Sequence, residues 1–561
     1  MYLSELRINN FRKFQELTIK FKSGINILIG PNNAGKTAVI DALRALLYSQ
    51  EERVIRFDPL DINKFSKASS FSFEYIFEGL NEEEEADFLP ALVFSSNEDT
   101  FKAIFKVEYT LSDRKDYLKC RRTCGTFYGN SITNEIQENI RTVYLEPLRD
   151  VIQSFHPNKY SKQAKLLNIL CDTDEKYNIE STLQSQTKEL NQLDLLSKAR
   201  KHLNEQHQKM LGNVFAQNLD LSICANDFAQ ISALLSISAD QFDIEHNGLG
   251  YSNLIYMATV LSELAKRSET LYKSVIIEEP EAHLHPQVQI ALLRYLIGLQ
   301  TDPKEIKQIF ITSHSPNFVC KSDINTLIWL KNDIHGKSLA VPIGDIQIDE
   351  KLKKKLIRYL DVTRSEIFFA QKILFVEGIA ESLIVRQLAK MAGIDLDQLG
   401  VSVISVEGLN FDIFIPLFKK NYLGIPIAIL TDNDPPANEY PTATEIVENK
   451  NKKSLIHDEP NIQTFLAQKT FEYDLALNER NIPTLVKAFK NIHPNSATGL
   501  EKELKEANPE KQAEAFFSYV FEKRSTKKGE FAYSLMEELE NDKDFQMPKY
   551  IEKALNFLKG N

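Results

Sequence analysis

Long apolar runs are missing from this sequence: the longest, such as SVIIEEP (residues 274–280) and IPIAILT (425–431), have the length of a buried strand. A membrane-crossing helix needs roughly 20 apolar residues, so no span and no membrane partner are expected. The opening MYLSELRINNFRKF lacks the apolar stretch of a signal peptide and alternates like a strand. Cysteine is scarce. The five present, Cys120, Cys124, Cys171, Cys224 and Cys320, are scattered and odd in number, which argues against a disulfide framework and for a reducing, cytoplasmic setting. Only Cys120 and Cys124 lie close together, and no second ligand pair accompanies them to make a zinc site. Positive charge is in deficit as well: 67 Lys and Arg stand against 78 Asp and Glu, a net charge of −11. That excludes a surface coated in basic residues but leaves room for a local basic track. KLKKKLIR (351–358), NKNKKS (449–454) and KRSTKK (523–528) are the segments that could supply one.

What is present is an ordinary globular composition, 43% apolar and 26% charged, spread over 561 residues. That length is too great for one core and predicts about three to four domains. Over the first 110 residues, period-two strands surround one helix. Residues 154–225 change texture. They are poor in Gly and Pro and carry apolar residues at helical spacing, as in TLQSQTKELNQLDLLSKARKHLNEQHQKML, which predicts a helical insertion suited to self-association. Strand character returns at LDLSICAND (219–227) and SVIIEEP. From about Phe368, ILFVEG, VSVISVEG and IPIAILTDND alternate with helical stretches, a parallel α/β pattern, and the last 60 residues read as helical and charged.

GPNNAGKT (30–37) fits the phosphate-binding loop G-x-x-x-x-G-K-[ST], and it sits in the required context, after the strand INILI and before a helix. Glycine lets the loop N–H groups wrap phosphates and the helix N-terminus adds its dipole. Asn32, Asn33 and Gly35 belong to that wrap, Lys36 pairs with the β/γ-phosphates, and Thr37 ligates magnesium. SVIIEEPEAHLHP (274–286) is an apolar strand ending in two carboxylates: Glu278, placed to hold magnesium through water, and Glu279, placed to polarise the attacking water. Aspartate is usual at the first position, so slow hydrolysis is expected. FITSHSP (310–316) sets His314 at a strand end as a γ-phosphate sensor. HNGLGYSNLIYMA (246–258) opens a helix with two glycines. Together these residues, with NNFRKF near the start, resemble the ATP-binding-cassette-type heads of the RecF and SMC class over roughly residues 1–150 and 225–345. The resemblance implies that Gly248 and Gly250 cover a partner's γ-phosphate in trans.

A second acidic region lies beyond the head. Glu377 ends the strand KILFV, Gly378 permits a tight exit, and Glu381 follows one helical turn on. SVEGLNF carries Glu407, and ILTDNDPP carries Asp432 and Asp434 around Asn433. In an open parallel sheet ligands bind at the carboxyl ends of strands. Carboxylates converging there repel one another unless a divalent cation sits among them, and oxygen-only ligation suits Mg²⁺ or Mn²⁺. Taken singly, Glu381 and Glu407 read as cap or turn residues; as a set, Glu-Gly-x-x-Glu followed by Asp-x-Asp is similar to the Toprim fold.

A cassette-type head followed by a Toprim unit resembles the overcoming-lysogenisation-defect (OLD) nuclease family, with its Gabija and retron-associated branches. The resemblance implies an α/β protein divided as head (1–153), helical dimerisation insertion (154–225), head again (226–365), Toprim nuclease domain (366–545) and C-terminal helix (546–561). KTFEYDLAL (469–477) matches a family segment that offers Glu472 as an extra acid, and KKGEFAYSL (527–535) one whose lysine, Lys528, stabilises the pentavalent phosphate. The implied activity is ATP-regulated, metal-dependent DNA endonuclease in anti-phage defence. Glu377, Glu381 and Asp432 would serve one ion, and Asp434 with Glu472 a second. The implied partners are DNA, further copies of the chain as dimer or tetramer, and a helicase-like subunit or a retron reverse transcriptase with its DNA product. The rival reading is a non-nucleolytic repair or structural ATPase of RecF/SMC type with a scaffold Toprim unit. The intact acid set and Lys528 weigh against it, as the absence of a DNA-binding tyrosine domain and of template-binding modules weighs against a topoisomerase or primase.

Overall fold

The computed structural model describes residues 1–48, 55–95, 99–114, 116–147, 155–156, 158, 161–221, 227–239, 242–266, 270–300, 306–332, 337–420, 422–433, 459–505 and 508–560. The N-terminal strands are β1 (Tyr2–Phe11), β2 (Phe14–Lys20), β3 (Gly24–Ile29), β4 (Ser70–Glu78), β5 (Leu92–Ser95), β6 (Thr100–Leu111), β7 (Leu118–Cys124), β8 (Asn130–Ser131) and β9 (Ile140–Leu145). The short pair β10 (Ser238–Ala239) and β11 (Phe242–Asp243) precedes β12 (Tyr272–Glu278), β13 (Gln308–Thr312), β14 (Leu327–Asn332) and β15 (Ser338–Pro342). β16 (Lys372–Val376), β17 (Val401–Ser405), β18 (Ile427–Thr431) and β19 (Ile462–Leu466) follow.

These strands form an antiparallel sheet, β2-β1-β4-β6-β7-β8 with β5 on β6, a six-stranded sheet, β15-β14-β3-β13-β12-β9, and a third sheet, β17-β16-β18-β19. The six-stranded sheet is parallel except at β14–β15, and the third is parallel throughout. β12, β13 and β18 are buried along their whole length, which is why they read as continuous apolar runs rather than alternating ones.

Strand alternation stacks the sheets. Ile25, Ile27 and Ile29 of β3 face one core, while Leu28 joins a second with the antiparallel sheet and the helix Lys36–Arg44. β16 divides the same way. Ile373 and Phe375 enter the core shared with β3, β12 and β13, whereas Leu374 and Val376 face the C-terminal helices. The nucleotide-type sheet and the Toprim-type sheet therefore pack on one continuous apolar core, closed by the helices Leu249–Lys266, Pro286–Gly298, Pro316–Lys321 and Glu350–Tyr359. Polar seams cross it: Trp329 Nε1 donates to the carbonyl of Phe368, and Lys331 Nζ to that of Leu423.

Between β9 and β12 run the helices Lys162–Leu170, Thr173–Asn191 and Asp194–Phe215, with Leu190, Leu195, Leu203 and Met210 exposed. The strand expected at 219–227 is not formed at residues 219–221 or 227, and 222–226 lie outside the described residues. Among the described residues no helix is long and apolar enough to cross a membrane.

Candidate active sites

The phosphate loop begins where β3 runs beside β14. Gly30 has φ 144°, and a Cβ there would collide with the carbonyl of Leu330 on the neighbouring strand. Left-handed Asn33 and Gly35, φ 62° and 102°, turn the chain into the helix Lys36–Arg44. Asn32 and Asn33 sit exposed on the loop, and the carbonyl of Asn33 accepts from Lys13 Nζ. Lys36 is buried, with Nζ donating to the carbonyls of Gly30 at 2.8 Å and Pro31 at 3.0 Å. Burial pulls its pKa down to about 8, against the opposing pull of Glu279 and Glu281.

Glu278 ends β12 with both oxygens bonded. Thr37 Oγ1 donates to Oε1 at 2.6 Å, and Tyr144 Oη to Oε2 at 2.8 Å. The Arg44 guanidinium lies 3.6 Å from the centroid of the Tyr144 ring and holds it in place. Glu279, in the left-handed region at φ 45°, brings Oε1 to 3.3 Å from His314 Nε2. Burial and the nearby Lys36 lower the pKa of His314 while Glu279 opposes them, so near neutral pH the contact joins a neutral imidazole to a carboxylate.

Two residues here escape a reading of the sequence. Tyr144 reaches Glu278 only because β9 pairs with β12. Glu281, two residues past Glu279, accepts from Ser313 Oγ at 2.9 Å and the His314 N–H at 2.7 Å, and so anchors the loop that carries His314. Burial raises the Glu281 pKa despite those bonds; the third acid in EEPEAH was the available signal. The two glycines expected to act in trans differ. Gly250 is buried, and a Cβ on it would stand 2.5 Å from the carbonyl oxygen of His283, so packing within the chain already demands glycine. Gly248 is exposed with open space beside it.

In the second region the register of β16 on β18 pairs Phe375 with Ile429, which brings Glu377 level with Thr431. Glu377 Oε1 accepts from the Asp432 N–H at 2.8 Å and from the Thr431 hydroxyl, so neighbouring strand ends are tied together. Glu381 caps its own helix, Ile379–Met391, with Oε2 accepting from the Gly378 N–H at 3.0 Å. Asp432 Oδ1 accepts from the Phe471 N–H at 2.8 Å, which sets the helix Phe471–Ala476 against β18. Glu472 on that helix is 2% exposed, and among the described residues no backbone or hydroxyl donor reaches its oxygens. Its cationic neighbour is Lys528, with Nζ 2.9 Å from Glu472 Oε2 and 4.0 Å from Asp432 Oδ2.

The electrostatics follow from this crowding. Burial, then Glu377 and Glu472, raise Asp432 well above the usual carboxylate range. Glu381 is raised by burial first, then by Glu472 and Glu377. Burial disfavours the charge on Lys528, but Glu472, Asp432 and Glu381 outweigh it and the pKa rises. Asp474, pushed up to about 6 by burial, accepts from the Gln468 and Lys469 N–H groups and shapes the turn that precedes Glu472. Glu407 is not part of this group: it is 72% exposed overall at the side chain and pairs with Arg364 Nη2 at 2.8 Å. Asp434 lies outside the described residues.

Among the described residues no three His, Cys, Asp or Glu side chains stand close enough to hold an ion as they are. The reason is local, since Glu377 and Glu381 each turn an oxygen onto a backbone N–H. The donor chemistry nevertheless fits a hard divalent cation. Every candidate ligand is a carboxylate, Glu472 is buried with one ammonium beside it, and Asp432 and Glu381 are raised by burial and then by the neighbouring acids.

Comparison with known proteins agrees with this division. The AAA ATPase domain family matches residues 1–86 and 73–319, and the overcoming lysogenization defect protein-like TOPRIM domain matches 368–434. Endonuclease GajA of Bacillus cereus (strain VD045) is 23% identical over 448 residues, covering 77% of this chain and 75% of its own length. The OLD nuclease of Thermus scotoductus is 22% identical over 448 residues, covering 77% of this chain and 82% of its own. The solved C-terminal region of the Xanthomonas campestris pv. campestris OLD protein is 24% identical, covers 35% of this chain and 94% of that one, and superposes with a TM-score of 0.26. An ATPase head and a Toprim domain imply use of a nucleotide and a divalent metal. The chain belongs to the AAA ATPase domain family and joins that head to a Toprim domain of the OLD type.

Proposed function

We propose that this chain is an ATP-regulated, divalent-metal-dependent DNA endonuclease of bacterial anti-phage defence. The names of its relatives, an endonuclease and an OLD nuclease, support the activity. The observation that carries it is Glu472: a buried carboxylate with the Lys528 ammonium at 2.9 Å, beside Asp432 and Glu381, which burial and then the neighbouring acids raise. A scaffold has no use for that arrangement, because burying several carboxylates around one ammonium is costly.

Glu377, Glu381, Asp432, Asp434 and Glu472 would hold the cation or cations, with Mg²⁺ or Mn²⁺ suited to an all-oxygen set. The chemistry supplied by a bound divalent cation there is Lewis acidity and a lowered pKa for water. Lys528, kept protonated by its acidic neighbours, would face the charge that builds on the phosphate in the transition state. The tie from Glu377 to Asp432 N–H keeps the two strand ends at a fixed separation.

In the head, Asn32, Asn33, Gly35, Lys36 and Thr37 would hold ATP, with Glu278 on the nucleotide's magnesium. Glu279 would orient the attacking water beside His314, and Gly248 and Gly250 would approach the nucleotide of a second copy. Pairing of heads then gates the nuclease in a homodimer or homotetramer that works in the cytoplasm on DNA. A helicase-like subunit or a retron reverse transcriptase with its DNA product would complete a defence system.

The test is nicking of supercoiled plasmid in Mg²⁺ or Mn²⁺, with and without ATP. Asp432→Asn, which keeps an acceptor for the Phe471 N–H, is expected to lose about a hundredfold or more in cleavage while retaining ATP binding. Unchanged nicking by the cleanly purified variant would remove the assignment.

A further inference from the structure

The helix Glu350–Tyr359 carries a feature that neither catalytic centre uses. Lys351, Lys354, Lys355 and Arg358 fall at i, i+3, i+4 and i+7, one stripe along the helix, and all are exposed. The opposite face is apolar and anchored, with Leu356 and Leu360 buried in the shared core. Lys353, off the stripe, donates to Asn325 Oδ1 at 2.7 Å. Among the described residues none of the four stripe cations pairs with a carboxylate, in a chain whose net charge is −11. Like charges at i,i+3 and i,i+4 weaken a helix, and this stripe contains such pairs in both spacings. A purely solvated face would gain from interspersed glutamates, which this acidic chain has in abundance.

The position of the stripe is as informative as its charge. The helix packs on the turn Asn410–Ile413. That turn follows Gly408, whose N–H donates at 2.8 Å to the carbonyl of Glu377. Arg364, a few residues past the helix, donates to the carbonyl of Ser405 at 3.1 Å and pairs with Glu407, which secures the same loop from the other side. The helix that carries the stripe is thus tied, through that loop, to the strand end that carries the acid set. Four such positions span about 10 Å of helix axis, a length over which one strand of B-DNA presents about three phosphates.

We propose that this stripe is a phosphate-backbone rail that seats double-stranded DNA against the Toprim acids. The proposal rests on the nuclease reading and adds the surface through which the substrate is held. Backbone contacts of this kind position DNA without reading its sequence, so the rail acts on any duplex.

The test compares the full-length protein with two triple variants that each remove three positive charges. Lys354→Ala/Lys355→Ala/Arg358→Ala strips the rail; Lys198→Ala/Lys201→Ala/Lys209→Ala strips the insertion helix Asp194–Phe215. Binding of a labelled 30-base-pair duplex is read by fluorescence anisotropy in Ca²⁺ across a salt series. The rail variant is expected to bind about tenfold or more weakly at 0.1 M salt, with the slope of log K against log salt reduced by about 2 to 3. Its plasmid cleavage should show a raised KM with kcat retained, and its ATP hydrolysis and melting temperature should be those of the parent. Equal weakening in both variants would overturn the rail in favour of net charge. Unchanged DNA binding by the rail variant would overturn it outright, including the case in which that variant instead loses an acidic protein partner. Failure of the parent itself to bind duplex at any salt would remove the nuclease reading and the rail with it.

Discussion

The two acid-bearing strand ends of this molecule are managed in opposite ways. At the end of β12, Glu278 has a hydroxyl on each oxygen, from Thr37 and Tyr144, and is complete within the chain. At the ends of β16 and β18, Asp432 and Glu381 are pushed up by burial and then by their acidic neighbours, and Glu472 is buried against Lys528. In the first, hydroxyls of the chain itself satisfy the acid. In the second, one ammonium, Lys528, stands among several buried acids, and it offsets their repulsion only in part. The head should therefore respond mainly to nucleotide, and the Toprim region mainly to divalent metal.

The sharpest way to break that separation is Lys36→Ala. Removing the buried amine at the phosphate loop should weaken ATP binding by about a hundredfold or more, measured by calorimetry. The melting shift produced by Ca²⁺ should persist; its loss would mean that the two sites are one ligand system. The next effect is a pH dependence. Asp432 and Glu381 have folded pKa values above the ordinary carboxylate range, so the folded state binds more protons through that window. In EDTA, stability should fall as pH rises from the ordinary values through the raised ones, and Ca²⁺ should abolish the fall. Glu472→Gln should flatten the same profile, raise the melting temperature of the metal-free protein by a few degrees, and cancel the Ca²⁺ shift. The smallest effect belongs to Tyr144→Phe, which leaves one oxygen of Glu278 without its donor. Mg-ATP affinity should drop about three- to tenfold while binding of ATP in EDTA holds constant, as calorimetry can read.

The parts of this chain that its sequence reveals are those written in one contiguous string. The phosphate loop, the paired acids after SVII and the Glu-Gly strand exit each carry their own local context, a strand before and a turn or helix after. What stays hidden depends on which strands lie side by side. Tyr144 meets Glu278 across the β9–β12 pair, and Thr431 meets Glu377 across β16–β18. Glu381 shows the limit of spacing arguments: one helical turn after Glu377 it lies near the acids, yet its nearest donor is the N–H of Gly378. Gly250 shows another, because its small size serves the backbone of His283.

The shared core has a consequence for how the molecule can be divided. The face of Phe318, Val319, Leu356 and Leu360 belongs to the same buried cluster as Ile373, Phe375, Phe414 and Ile429. A chain cut near residue 365 would leave that face open to water, and the remaining Toprim sheet would lose one of its two apolar covers. An evolutionary exchange of one catalytic half for another would have to carry the matching apolar surface with it, so the inheritance of the two chemistries is tied by packing rather than by the linker between them.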